Sequence, residues 1–527
     1  MKRTLLLFVF SLWIFNSLYS QANTKDTATK QPPAPKDRNM FGLGIKRGLT
    51  LTTDGLANGY IMFAVPNSAS VYLINRKGEV VHEWKGNYGG PERSAYLNND
   101  GSIFQNATDP DFPVFAGGGE AGRLQKVSWD GKMLWDFEYA NEEYHTHHDL
   151  AVMPNGHVLA IAWEAKTAGE ALAAGRKPNL TPKAGLWPEK IVEIEPIDEF
   201  HGRVVWEWHV WDHLIQDFDS KKANFGSPAD HPELLDFTVG QIVPPLMPRD
   251  SFEILKAKGM IMWRNQTPEN TGSEIYHFNA IKYNPDLDQI AFSSPNLSEI
   301  FIIDHSTTTK EAAGHTGGRW GKGGDFLYRW GNPKNYRQGD AASRMLFGQH
   351  DIRWIEKGMP GEGHLLVYNN NIPGENRMGY SGIYELVPPT DAKGNYTISK
   401  GKSFGPESPA WKYVAADPVS FWSSFISGAH RLSNGNTFIN EGAKGRFFEV
   451  TKDGKTVWEY LNPYRGELRQ PNGDPIPMAP QFPLTYSVFR STFIPADHPG
   501  LANRKLQPLN PQPQVFILPS PQTADRK

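Results

Sequence analysis

The chain of 527 residues has no cysteine, which excludes disulfides, thiolate chemistry and lipidation of a cysteine. It also has no G-x-S-x-G elbow, P-loop or dinucleotide fingerprint. The Gly-rich GRWGKGGD at 318–325 lacks both a K-[ST] ending and a helical pattern after it. Neither sign of charge is in excess. A formal net charge of −3 gives no electrostatic reason to expect nucleic acid as a partner. Long apolar runs are missing too: the one near the start, Leu5 to Phe15, is broken by Asn16 and Ser17, well short of the roughly 20 residues that a membrane span needs.

That short run follows Lys2 and Arg3 and ends in small residues before Gln21, the pattern of a cleaved secretory signal over residues 1–20. The expected location is therefore periplasmic or secreted, with no membrane span after cleavage. Residues 21–40 read as a disordered leader and 508–527 as a Pro-rich tail, leaving 41–507 as the folded domain. Fifty Gly, 41 Pro, 12% aromatics and a mean hydropathy of −0.51 suit a turn-rich β protein better than a helical bundle.

Two hairpin types alternate along that domain. One is an apolar alternation, a Gly-bearing turn and a second alternation ending in an aromatic. VYLINRKGEVVHEW (71–84), LQKVSWDGKMLWDFEY (124–139) and FFEVTKDGKTVWEY (447–460) are the clear copies. Versions with longer connections stand at 190–210, 299–332 and 382–401 (GIYELVPPTDAKGNYTISKG). Gly supplies the positive φ that such tight turns demand. The other type places a histidine just ahead of an apolar run: THHDLAVMPNGHVLAIA (146–162), YHFNAIKYNPDLDQIAFSS (276–294), GQHDIRW (348–354) and GAHRLSNGNTFIN (428–440), with SAYLNNDGSIFQNA (94–107) as a copy lacking the His. The sum is an all-β fold, a six-bladed β-propeller with long inter-strand insertions. SVFRSTFIPAD (487–497) is expected to pair with GYIMFAV (59–65) and close the ring. The insertions at 210–275 and 332–346 are candidates to roof the channel or to make subunit contacts.

A histidine at the start of an inner strand faces the channel of a propeller. Three chemistries can use such a cluster: metal ligation, with HHD offering two imidazoles and a carboxylate; acid–base catalysis near neutral pH; and nucleophilic catalysis by an imidazole nitrogen. His147 and His148, adjacent on an extended strand, are expected to face opposite ways. Tyr276, Phe278, Trp354 and Trp422 are candidates to stack on an aromatic ligand.

Taken jointly, HHDLAVMPNGH, YHFNAIKYNPDLDQIAFSS, FIIDHSTTT with AGHTGG and GDFLYRWGNP, FGQHDIRW and GAHRLSNGNTFI resemble the bacterial aryl-sulfate sulfotransferase family over most of the chain. The resemblance implies transfer of a sulfuryl group from an aryl sulfate to a phenol through a sulfohistidine, with no nucleotide donor, no cofactor and no metal. His350 matches the sulfated histidine. His277 and Asn279 match the H-x-N pair that binds sulfuryl oxygens and helps the leaving phenol. His148 is the third catalytic candidate, and His147, His430, Arg353 and Arg377 are further substrate-binding candidates. Where the family carries Arg in an SSR sequence, this chain has Ser293-Ser294-Pro295; Arg353, Arg377 and Arg431 are candidates to replace that guanidinium. The short stretch ahead of the first blade implies that the separate N-terminal sandwich of some relatives is lacking, which puts their mode of dimerisation in question; a homodimer stays a candidate assembly. Two other readings stay open: a hydrolase or lyase in the same channel, metal-assisted or not, and a non-catalytic ligand-binding propeller.

Overall fold

The computed structural model describes residues 39–516 except Pro91, 110–113, Met262, Arg264, 375–377 and 467–485. The signal and most of the leader lie outside the described residues. No helix among the described residues is long and apolar enough to cross a membrane.

Six small antiparallel sheets stand in a ring as a six-bladed β-propeller. Blade 2 is built from Ala95–Leu97, Ile103–Thr108, Gly122–Val127 and Met133–Glu138, and blade 3 from Tyr144–Val152, Val158–Glu164, Glu189–Pro196 and Gly202–His209. Blade 4 has Ala280–Asn284, Gln289–Ser294, Glu299–Asp304 and Tyr328–Trp330; blade 5 has His350–Trp354, Leu365–Ile372, Tyr380–Leu386 and Trp411–Tyr413. In blade 6, Gly428–Arg431, Thr437–Glu441, Arg446–Val450 and Thr456–Leu461 carry a fifth strand, Gly48–Thr52, on the outside. Blade 1 takes its inner strand, Ser491–Pro495, from the far end of the chain, beside Gly59–Ala64, Ser70–Ile74 and Val80–Lys85. The expected closure is thus present, and Gly48–Thr52 adds a second one that the sequence reading did not contain.

Both faces of each blade are buried against a neighbour, so the middle strands are apolar at successive positions rather than at alternate ones. On Val158–Glu164, Leu159 and Ile161 enter the seam with blade 4, while Val158, Ala160 and Ala162 enter the seam with blade 2. Ile61 and Phe63 face blade 6, and Met62 and Ala64 face blade 2. Each seam holds one such apolar cluster.

A tryptophan in the outermost hairpin strand of each blade has a second use. The indole N–H of Trp84 donates to Gly101 O (3.1 Å), Trp135 to His201 O (3.0 Å), Trp208 to Gly324 O (2.7 Å), Trp330 to Pro406 O (2.8 Å), Trp411 to Lys452 O (2.9 Å) and Trp458 to Arg76 O (2.8 Å). Each acceptor lies in a connection of the next blade, so a Trp-to-carbonyl link spans all six seams.

One expected hairpin is corrected. The partner of Tyr380–Leu386 is Trp411–Tyr413, not the NYTIS segment near 396. Pro388 and Pro389 follow the strand and cannot donate to a ladder. Tyr396 is instead drawn to blade 4, where its hydroxyl donates to Gln289 Oε1 (2.8 Å) and its ring packs on Tyr328. In the Pro-rich segment, Gln512 exchanges hydrogen bonds with the backbone of Val80, and Leu509 N–H donates to Val80 O, so these residues are held against blade 1. The two insertions bind each other: Arg337 pairs with Asp217 and Asp236, and Gln338 donates to Ala229 O (2.7 Å).

Candidate active site

The inner strands converge on the axis, and two rings of polar side chains fill it. The first ring holds His148 from blade 3, His277 and Asn279 from blade 4, His350 from blade 5 and Arg490 from the start of the closing strand. His148 (φ 58°), His277 (φ 57°) and Asp351 (φ 54°) have left-handed backbone, as do Ile426 (φ 48°) and Ser427 (φ 96°) ahead of the inner strand of blade 6. Non-Gly residues hold this conformation only where the surroundings enforce it, and such strain gathers at functional sites. Here it bulges the inner strands of blades 3 and 5, and in blades 4 and 6 it lies just ahead of the inner strand.

His350 is buried (5% exposed). Its Nδ1–H donates to Asn370 Oδ1 (2.9 Å). The orientation of that amide is fixed, because Asn370 Nδ2 donates to Ser423 O (2.8 Å) and Ile426 O (2.9 Å). The His350 lone pair therefore sits on Nε2, which accepts the Ile426 N–H at 3.1 Å. Burial, then the Arg490 charge, push the imidazole down to about 3, so it is neutral at any physiological pH.

The expected divergence of His147 and His148 is overturned. The left-handed turn at His148 breaks the alternation, and the two Nδ1 atoms meet at 2.7 Å. His147 stacks on Trp163 (centroids 4.2 Å apart) and, among the described residues, its buried Nε2 has no hydrogen-bond partner. A buried N–H without an acceptor is rarer than an unused lone pair, so His147 carries its proton on Nδ1 and gives it to His148. The proton of His148 is then on Nε2. Both rings are driven well below the usual imidazole range by burial, then by the charge of His277.

His277 behaves oppositely. Its Nδ1 faces Glu274 Oε1 at 2.5 Å. Burial alone disfavours its charge, yet Glu274 and then Glu92 outweigh it and raise the imidazole above 6.5. The Glu92 carboxylate accepts the Gly119 N–H at 2.7 Å. His277 stands edge-to-face with His148, centroids 4.3 Å apart. Gly118 lies over both: a Cβ there would be 3.6 Å from His277 Nε2 and 3.7 Å from His148 Nε2. The two donor nitrogens thus point at one spot beneath a glycine loop.

Asn279 is wholly buried. It donates through Nδ2 to Gln349 O (2.9 Å) and accepts from Ser293 Oγ (2.5 Å), tying blade 4 to the residue before His350. The Ser293-Ser294-Pro295 site is filled by this amide and by Gln349, whose Nε2 donates to Ser294 O (3.0 Å) and Glu299 O (2.7 Å). The guanidinium of this ring comes from Arg490, which donates to Asn279 O (2.9 Å) and Ser427 O (2.5 Å) and lies 3.5 Å from Asp351. The sequence reading passed over Arg490; its place in SVFRSTFIPAD, at the entry to a channel strand, was the available signal.

The other arginine candidates fall elsewhere. Arg353 pairs with Asp351 (2.8 Å) and donates to His430 Nδ1 (2.7 Å). These residues form a second ring, with Tyr96, Asp149 and Lys282 bonded together beside them. Three residues after His350 on a bulged strand, Arg353 lies roughly 7 Å further along the axis. Arg431 is spent on Glu385 (2.6 Å) and packs over Trp411. Arg377 lies outside the described residues. Tyr276, Phe278 and Trp354 are in blade seams. Trp422 is half-buried and donates to Asn371 Oδ1 (3.0 Å).

The family model for Arylsulfotransferase (ASST) matches residues 56–468, a span that contains every blade strand except Gly48–Thr52 and the closing strand Ser491–Pro495. The chain belongs to the Arylsulfotransferase (ASST) family. No curated protein matches it. Among solved structures it is similar to a Bacteroides caccae protein of unknown function (12% identity, TM-score 0.39, covering 77% of this chain and 94% of that one). A streptogramin B lyase (10%, 0.34, 81% and 93%) and the periplasmic gluconolactonase PpgL of Pseudomonas aeruginosa (9%, 0.39, 83% and 99%) are also similar. At such scores these three carry no argument about the ASST chain. The family supports an aryl sulfotransferase-like activity on aryl sulfate and phenol substrates.

Proposed function

We propose that this protein is exported and transfers a sulfuryl group from an aryl sulfate to a phenol through a sulfohistidine at His350. The observation that carries the reading is the split in environment within one ring: a neutral His350 with its lone pair on Nε2, beside a His277 whose charged form is favoured by Glu274. Environments that push like groups apart in pKa assign the base and the acid.

In the first half-reaction His350 Nε2 attacks sulfur, the S–O(aryl) bond breaks, and the leaving phenolate takes the Nε2 proton of His277. In the second, the acceptor phenol gives its proton back to His277 as its oxygen attacks the sulfohistidine sulfur, restoring His350. His148 Nε2–H and Arg490 stabilise the charge spread over the sulfuryl oxygens, being fixed before the reaction starts. Asn279 and Asn370 position His350, and the Nδ1–H bond to Asn370 supports the charge that sulfation places on the ring. The Ile426 N–H occupies Nε2 in this arrangement, so attack begins with its withdrawal.

The test is trapping. Wild-type protein mixed with 4-nitrophenyl sulfate and denatured under mildly alkaline conditions is expected to carry an adduct of one SO3 on the peptide containing His350. His350→Ala should lose adduct and turnover together, while the exposed His201→Ala keeps both. An adduct on another histidine, or turnover by His350→Ala, sinks the assignment.

A further inference from the structure

The motifs AGHTGG and GDFLYRW take no part in the channel, yet they bring a second histidine cluster together on the rim between blades 3 and 4. We infer that His213, His315 and Asp325 form a site for one divalent cation of the zinc class. Among the described residues this is the only group of three or more whose ligand atoms all lie within 4.8 Å of one another. His213 sits in the turn Val210–His213 that opens the long insertion after blade 3, whereas His315 and Asp325 come from the long connection inside blade 4.

The hydrogen bonding is what singles this cluster out. His213 is fully buried and lies flat against Trp208. Its Nε2 faces the Ala312 carbonyl at 2.8 Å and its Nδ1 faces Asp325 Oδ1 at 2.8 Å. A neutral imidazole has one N–H. With that proton on Nε2, held by the carbonyl, Nδ1 turns its lone pair toward the Asp325 carboxylate, the arrangement that a cation shared by the two would satisfy. His315 Nδ1 points at the same oxygen, again at 2.8 Å. A carbonyl that fixes the far nitrogen of a ligating histidine is the usual outer support of a metal site. Two imidazoles and a carboxylate suit zinc, with water in the fourth position; the His315 side chain, 60% exposed, leaves that position open to solvent. Ligand bonds of about 2.0–2.2 Å require each of the two N···O separations to widen by only about half an ångström. Gly324 closes the cradle: a Cβ there would be 2.6 Å from His213 Nε2 and 2.0 Å from Ala312 O. The ion clips the blade 3 insertion to blade 4, beside the Trp208-to-Gly324 link.

The full chain, stripped with a chelator and dialysed against micromolar Zn2+, is expected to retain one equivalent and to melt several degrees higher than the stripped protein. His315→Ala and Asp325→Asn should each lose at least 30-fold in affinity and the gain in melting temperature, while His277→Ala in the channel binds as wild type does. His315 is exposed, so its variant folds and the comparison stands. No retained zinc in the folded wild type, undiminished binding by His315→Ala, or loss of binding in His277→Ala instead would overturn the site.

Discussion

At the scale of single residues, His277 decides how activity follows pH. Its imidazole is active when protonated and is raised above 6.5 in the fold, so activity is full below that range and falls as pH rises through the raised value. His350, pushed down to about 3, stays neutral throughout and gives no acid limb above about pH 4. Replacing Glu274 with Gln removes the largest raising contribution. The alkaline limb of kcat should then move to lower pH, with kcat at pH 8 falling while kcat well below the limb changes less. Donors whose phenols are acidic need little help in leaving, so the loss should shrink along a series of substituted phenyl sulfates. A limb that stays put, or a loss equal for all donors, would mean that Glu274 is only structural. His148, His277 and His350 were legible in the sequence because they recur at one position of a repeat. Glu92, Asn370 and Arg490 were not, because each reaches the ring from another strand or blade, and Glu274, three residues before His277, meets it only through the left-handed backbone there. Nor was the pairing of His147 with His148, since nothing in HHD announces left-handed backbone at a residue other than glycine.

At the scale of elements, the Gly117–Gly119 loop of blade 2 acts as the cover of the site. Gly119 has φ +70° and lies against the His148 ring, so no side chain fits there. Gly118 has no such backbone restriction, which makes it the informative position. A methyl at Gly118 would stand 3.0 Å from His277 Cε1 and close to both donor nitrogens, in the space that the sulfuryl oxygens need. Gly118→Ala is therefore expected to keep its melting temperature within about 1 °C and to lose at least tenfold in kcat/KM, as small misplacements of a reacting group do. An unchanged kcat/KM would place substrate elsewhere. Hairpins with short D-G or K-G turns were legible as elements because the turn chemistry is local. The fourth strand of blade 5 was not, since 24 residues separate Leu386 from Trp411 and a contact to blade 4 draws Tyr396 away.

At the scale of the whole molecule, the ring is closed by more than one strand. The chain crosses the seam between blades 6 and 1 twice, after Gly48–Thr52 and again before Ser491–Pro495, so opening that seam requires pulling a strand from a sheet. The Trp links treat this seam like the others: Trp458 N–H reaches Arg76 O at 2.8 Å, as Trp135 reaches His201 O at 3.0 Å. Replacing either Trp with Phe removes one hydrogen bond, a net contribution of about 1 kcal/mol, and some buried ring area. Each variant should thus lose about 1–2 kcal/mol. The two seams are far apart and share no residue, so the losses should add to within about 0.5 kcal/mol. Because opening any seam exposes one apolar face of each of two blades, the double variant should still melt in one transition, shifted down rather than split. Denaturant melts followed by tryptophan fluorescence and by far-UV circular dichroism check this. Two transitions, or a Trp458→Phe effect several times that of Trp135→Phe, would show that the closing seam is a weak point and that the blades beside it unfold as a separate unit.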